Sequence, residues 1–135
     1  MKQSFLLLIV LLCTIGIYAQ ESTEISKKLL AKYSNNTLQK LSESNSDSML
    51  VLNYAAEKGY YFMDIPSNKN IVFEKIENVT EKDLETFNPF KYNVTYFKEK
   101  QNYYILGDTG KLLVLMSLKD MMMFSQQDKK RQDEK

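Results

Sequence analysis

A strand that is apolar on both faces needs cover on both, and the run Leu112-Leu-Val-Leu-Met116 is such a strand. Antiparallel sheets with one face in water alternate apolar and polar residues, and this run does not. It closes a stretch, Tyr92 to Met116, that reads as three consecutive antiparallel strands: Tyr92 to Lys98, Tyr103 to Leu106 and Lys111 to Met116. Asp108-Thr109-Gly110 suits a three-residue hairpin loop with the glycine in the left-handed region. That loop predicts Leu106 opposite Leu112 and Tyr104 opposite Val114 on one face. On the other it sets Ile105 opposite Leu113 and Tyr103 opposite Leu115.

Upstream, Met1-Lys-Gln-Ser4 is a short positive leader, Phe5 to Ile17 is apolar but for Cys13, Thr14 and Gly16, and Tyr18-Ala-Gln20 ends in a cleavage pattern. This is the layout of a secretory signal peptide over residues 1–19, too short for a spanning helix of about 20 apolar residues. Cys13 follows Leu12 and precedes more apolar chain, which argues against an acylated lipoprotein cysteine. Cleavage after Ala19 leaves 116 of the 135 residues, the size of one domain. The lone cysteine leaves with the leader, so no disulfide, thiol nucleophile or thiolate metal site is expected in the mature chain. Loss of Lys2 balances 17 basic against 17 acidic residues, which offers no electrostatic case for nucleic acid or an anionic membrane.

In chain order, Ser22 or Thr23 caps an expected helix to Tyr33, with Ile25, Leu29 and Tyr33 on one face. A short helix from Thr37 to Ser42 and a third from Ser48 to Lys58, capped by Asp47 and stopped by Gly59, follow. Tyr60 to Ile65 and Ile71 to Ile76 read as a hairpin around residues 66–70. Thr80 caps a helix from Glu81 to Phe87, which Asn88-Pro89 ends. A last helical turn spans Leu118 to Phe124, and residues 125–135, without an apolar side chain, read as a disordered polar tail.

Catalytic chemistry finds few candidates. Asp108-Thr109-Gly110 resembles the signature of aspartic proteases, in which two such aspartates share a proton. Lys111 follows it and only residues 111–135 remain for the later motif that family needs, so the hairpin reading is preferred. Without histidine, serine lacks its usual base. Met121-Met-Met123 is soft enough for copper(I), yet it lacks supporting histidines and reads as core or contact surface. Asn35, Asn78 and Asn93 begin N-x-Thr sequons, and Asp47-Ser48-Met49 resembles a short bacterial O-glycosylation signal.

The expected fold is therefore α+β, an antiparallel sheet of about five strands packed against the N-terminal helices, in one domain over residues 20–124. The expected function is that of an exported, non-catalytic accessory or adaptor protein. It would bind a cell-envelope protein in the periplasm, at the outer membrane or outside the cell, with no cofactor, metal or nucleic acid. Tyr103, Ile105, Leu113 and Leu115 are the candidate partner- or ligand-binding residues. A carrier of a small apolar ligand is the alternative, with these side chains lining an enclosed pocket; an enzyme of unidentified class is third.

Overall fold

The computed structural model describes residues 24–67 and 70–135. The leader, the Ser22/Thr23 cap and the middle of the 66–70 loop lie outside them. The fold is α+β. A 3₁₀ turn over Lys27–Ala31 leads to α1 (Asn35–Ser44), α2 (Ser46–Glu57) and β1 (Tyr60–Asp64); β2 (Glu74–Ile76), α3 (Glu81–Glu85) and a second 3₁₀ turn at Pro89–Lys91 follow, then β3 (Asn102–Leu106), β4 (Lys111–Leu115) and α4 (Leu118–Asp133). Among the described residues no helix is long and apolar enough to cross a membrane.

The sheet has four strands in the order β1-β4-β3-β2 and is mixed, not the five-stranded antiparallel sheet expected from the sequence. β1 pairs with β4 and β3 with β4, both antiparallel, whereas β2 runs parallel to β3. The expected hairpin between β1 and β2 is therefore absent, because β4 takes the place beside β1.

The segment read as a first meander strand, Tyr92 to Lys98, is irregular. Its backbone polar groups go to side chains and to a helix end instead of a ladder. Thr95 donates its N–H to the Tyr104 hydroxyl at 2.9 Å, and Asn102 Nδ2 donates to the Thr95 carbonyl at 2.8 Å. The Phe97 and Lys98 carbonyls accept the first N–H groups of α4, from Leu118 and Lys119. A helix start leaves four N–H groups without intrahelical partners, so each side of this junction satisfies the other.

Two apolar clusters hold the domain. One gathers Leu29, Tyr33, Leu38, Met49, Leu52 and Ala56 from the N-terminal half with Phe90, Leu118 and Met121. The other lies on the inner face of the sheet, where Tyr104, Leu106, Leu113 and Leu115 meet Val79 and Phe87 from the chain around α3. The cover of that face thus comes from the segment between β2 and β3, in place of the N-terminal helices expected there. Four residues knit the clusters together. Phe87 reaches the sheet, in ring contact with Tyr60, Phe62 and Tyr92 at 5.2–5.5 Å between centroids. Phe90, three residues on, enters the helical cluster. Between them, buried Asn88 accepts the Phe90 N–H and donates to the Lys28 carbonyl at 2.9 Å, fixing the 3₁₀ turns against each other. Tyr96 packs against both clusters, and desolvation of its buried hydroxyl holds the pKa well above the usual tyrosine range.

α4 continues to Asp133 through the segment read as a tail. It needs little apolar surface to stay docked. Small Ser125 is buried, its hydroxyl donating to the Met122 carbonyl, and Asp128 accepts from Lys58 Nζ at 2.8 Å. Gly59 allows the close packing at this junction: a Cβ there would lie 2.5 Å from Met121 Sδ and 2.7 Å from the Ala55 Cα.

α3 begins with half of a capping box. The Thr80 N–H and hydroxyl both donate to the Asp83 carboxylate at 2.8 Å. These bonds hold the Asp83 pKa below the usual carboxylate value. A depressed folded-state pKa contributes stability above the unfolded value and loses it as the pH falls through the folded one. Asp83→Asn should therefore lower the melting temperature at neutral pH, with the gap to wild type closing as the pH drops below about 4. Thermal melts across pH check this; a gap independent of pH would contradict it.

Candidate functional site

Register decides which side chains share a face. Tyr104 stands opposite Leu113 and Ile105 opposite Leu112, one residue away from the pairing a three-residue loop would give. The hairpin loop has four residues, Gly107 to Gly110, with positive φ at both glycines, 48° and 71°. A one-residue slip moves every side chain of a strand to the other face.

The four residues singled out from the sequence are consequently split. Leu113 and Leu115 lie on the inner face, 0% exposed within the sheet cluster, and no partner reaches them in the folded domain. Tyr103 and Ile105 lie on the outer face, half-buried. There they flank Val114 and Leu112, whose other neighbours are Tyr61 and Met63 of β1. The outer face is thus apolar across three strands. Leu112 and Val114 are buried in the middle, while Tyr61 is 47% and Met63 39% exposed at one margin.

The connection from β1 to β2 extends this surface, with Ile65, Ile71 and Val72 all exposed and Phe73 in ring contact with Tyr103, 5.8 Å between centroids. Sequence reasoning missed Met63 and Ile71 as surface residues because it paired their segments with each other. The two glycines bracketing Asp108-Thr109 were the signal for the longer loop, since a left-handed residue at each end needs four positions.

The electrostatics at the margins are those of exposed ion pairs. Lys111 Nζ lies 2.6 Å from Asp64, whose pKa it lowers through the hydrogen bond and the charge. Asp108 is fully exposed and meets Lys75 at 3.2 Å, while Thr109 caps the turn by donating to the Leu106 carbonyl at 2.7 Å. The Asp-Thr-Gly triplet is accounted for as turn chemistry.

A groove of about 400 Å³ beside this turn is lined by Glu77, Thr80, Glu81 and Asp108. A second, of about 180 Å³ between α2 and α4, is lined by Tyr54, Lys58, Asp128 and Lys129. Among the described residues no three His, Cys, Asp or Glu side chains are grouped to hold a metal ion. Ser48 of the glycosylation-like triplet is 0% exposed inside α2, so its hydroxyl is out of reach of a transferase acting on the folded chain.

Compared with family models, curated proteins and solved structures, the chain matches none, which leaves its own geometry to carry the functional reading.

Proposed function

We propose that the chain is an exported, non-catalytic accessory protein that binds another protein of the cell envelope through the outer face of its sheet. One observation carries this reading: apolar side chains at both margins of the outer face, exposed Tyr61 and Met63 on β1 and half-buried Tyr103 and Ile105 on β3, with exposed Ile71 and Val72 in the connection between β1 and β2. Aromatic and methionine side chains around a buried aliphatic centre are the composition that protein contacts favour. The groove beside the β3–β4 turn carries Glu77, Glu81 and Asp108, a lining that suits an apolar ligand poorly. Export rests on the leader, and removal after Ala19 would leave a domain that begins at Gln20.

Capture of the tagged mature protein from its own cell envelope in gentle detergent tests the proposal. The wild-type chain is expected to recover one envelope protein in stoichiometric amount. Ile105→Asp, on the half-buried outer face, is expected to abolish that recovery with a small change in melting temperature. A wild-type monomer without a companion, or equal recovery by the variant, would overturn the reading.

A further inference from the structure

β1 lies at one edge of the sheet, and among the described residues β4 is its strand partner. Met116 donates its N–H to the Gly59 carbonyl at 2.9 Å and Ile65 donates to the Gly110 carbonyl at 3.3 Å. In an antiparallel ladder such bonds recur at every second residue, so Gly59, Tyr61, Met63 and Ile65 direct their backbone groups to β4. The N–H and C=O groups of Tyr60, Phe62 and Asp64 point the other way, along the edge.

Exposed edges are normally blunted by lysine, proline or a bulge. Tyr60-Tyr-Phe-Met-Asp64 contains neither residue, and its register with β4 is unbroken over all five pairs. A row of outward amides and carbonyls calls for extended backbone as its occupant, and the sequence of β1 fits a second copy of itself.

We propose that the chain forms a two-fold homodimer in which β1 pairs antiparallel with β1 of a second copy, centred on Phe62. In that register Phe62 meets its own counterpart and Tyr60 meets Asp64, so every outward backbone group of both strands is used. The side chains agree with it. On the outer face each exposed Tyr61 stands opposite the other copy's exposed Met63, a lateral pairing of aromatic ring and thioether. The two Asp64 carboxylates fall at opposite ends of the pairing, each kept by its own Lys111, so no like charges face each other. The contact is isologous and closes at two copies. It joins the two outer faces into one eight-stranded surface. This goes beyond the partner-binding reading and does not depend on it.

The mature chain has no cysteine, which permits a register-specific test on the purified protein. Directly opposed residues outside the hydrogen-bonded pairs stand about 4.5 Å apart at Cα, within reach of a disulfide. Tyr61→Cys and Met63→Cys are made separately; both positions are exposed, so the fold is kept, and circular dichroism verifies this. Light scattering of the wild type should give twice the mass of one chain. Mixing the two variants under mild oxidation should give a crosslinked dimer, with far less from either variant alone. A wild-type monomer at every concentration would overturn the proposal, as would equal crosslinking by one variant alone. A monomer that instead takes up an extended peptide of another protein at β1 would overturn self-pairing too.

Discussion

Gly107→Ala is expected to destabilise the domain by about 3 kcal/mol or more, whereas Gly110→Ala, three residues away, should cost about 1 kcal/mol. Both glycines have positive φ, so either substitution strains the backbone. The difference is in the surroundings. A Cβ on Gly110 meets nothing within 4 Å, while one on Gly107 overlaps the carbonyl oxygen of Val79. Val79 is buried against the sheet, and the Gly107 N–H donates to the Ile76 carbonyl at 2.8 Å, carrying the β2–β3 pairing into the turn. Relief of the clash would pull that connection away from its cluster. Equilibrium urea denaturation of both variants measures the contrast; similar losses at the two glycines would show that β2 and the chain after it do not sit against the turn.

Leu113→Ala should cost about 2–5 kcal/mol, the range for truncating a fully buried leucine. Leu113 is 0% exposed at the centre of β4, with Phe62 on one side and Tyr104 on the other. Its loss opens a cavity beneath the Phe87 ring cluster that rigid cross-strand neighbours cannot fill. A charge at this position would unfold the domain. Any loss of partner binding in a Leu113 or Leu115 variant is therefore expected to follow the loss of fold, and Ile105 is the position at which the two separate. A Leu113→Ala chain as stable as wild type would place the core elsewhere.

The local pieces of this fold were legible in the sequence, and the pairings between distant pieces were not. Leu29 and Tyr33 are buried four residues apart, Gly59 follows α2 and Thr80 precedes α3, as local spacing and capping dictate, although in place of the helix expected to reach Tyr33 the described residues form a 3₁₀ turn over Lys27–Ala31 capped by Ser26. The double burial of Leu112 to Leu115 follows from their unbroken apolar run. The α2 cap falls on Asn45, whose side chain accepts the Ser48 N–H at 3.0 Å, two residues before the expected Asp47.

The failures have a common cause. β2 is three residues long and pairs in parallel with residues thirty positions further on, a contact that leaves no periodic trace in either segment. Tyr92 to Lys98 has strand-like side chains, yet a tyrosine hydroxyl and an asparagine amide take its backbone groups. α4 extends through a polar stretch because one small buried serine and one ion pair suffice to dock it. Of the candidate site, Tyr103 and Ile105 were recognised as partners on one face, and a single residue of loop length misplaced Leu113 and Leu115 beside them.

The most direct test of the outer face as a protein-binding surface is site-specific photocrosslinking in the native cell envelope. A photoreactive amino acid is placed at Ile105 on β3, away from the β1 edge, and for comparison at exposed Glu81 in α3. A single envelope-protein adduct from position 105, with none from position 81, is the predicted result. Identical adducts from both positions, or none from position 105 in a correctly folded and exported chain, would contradict it.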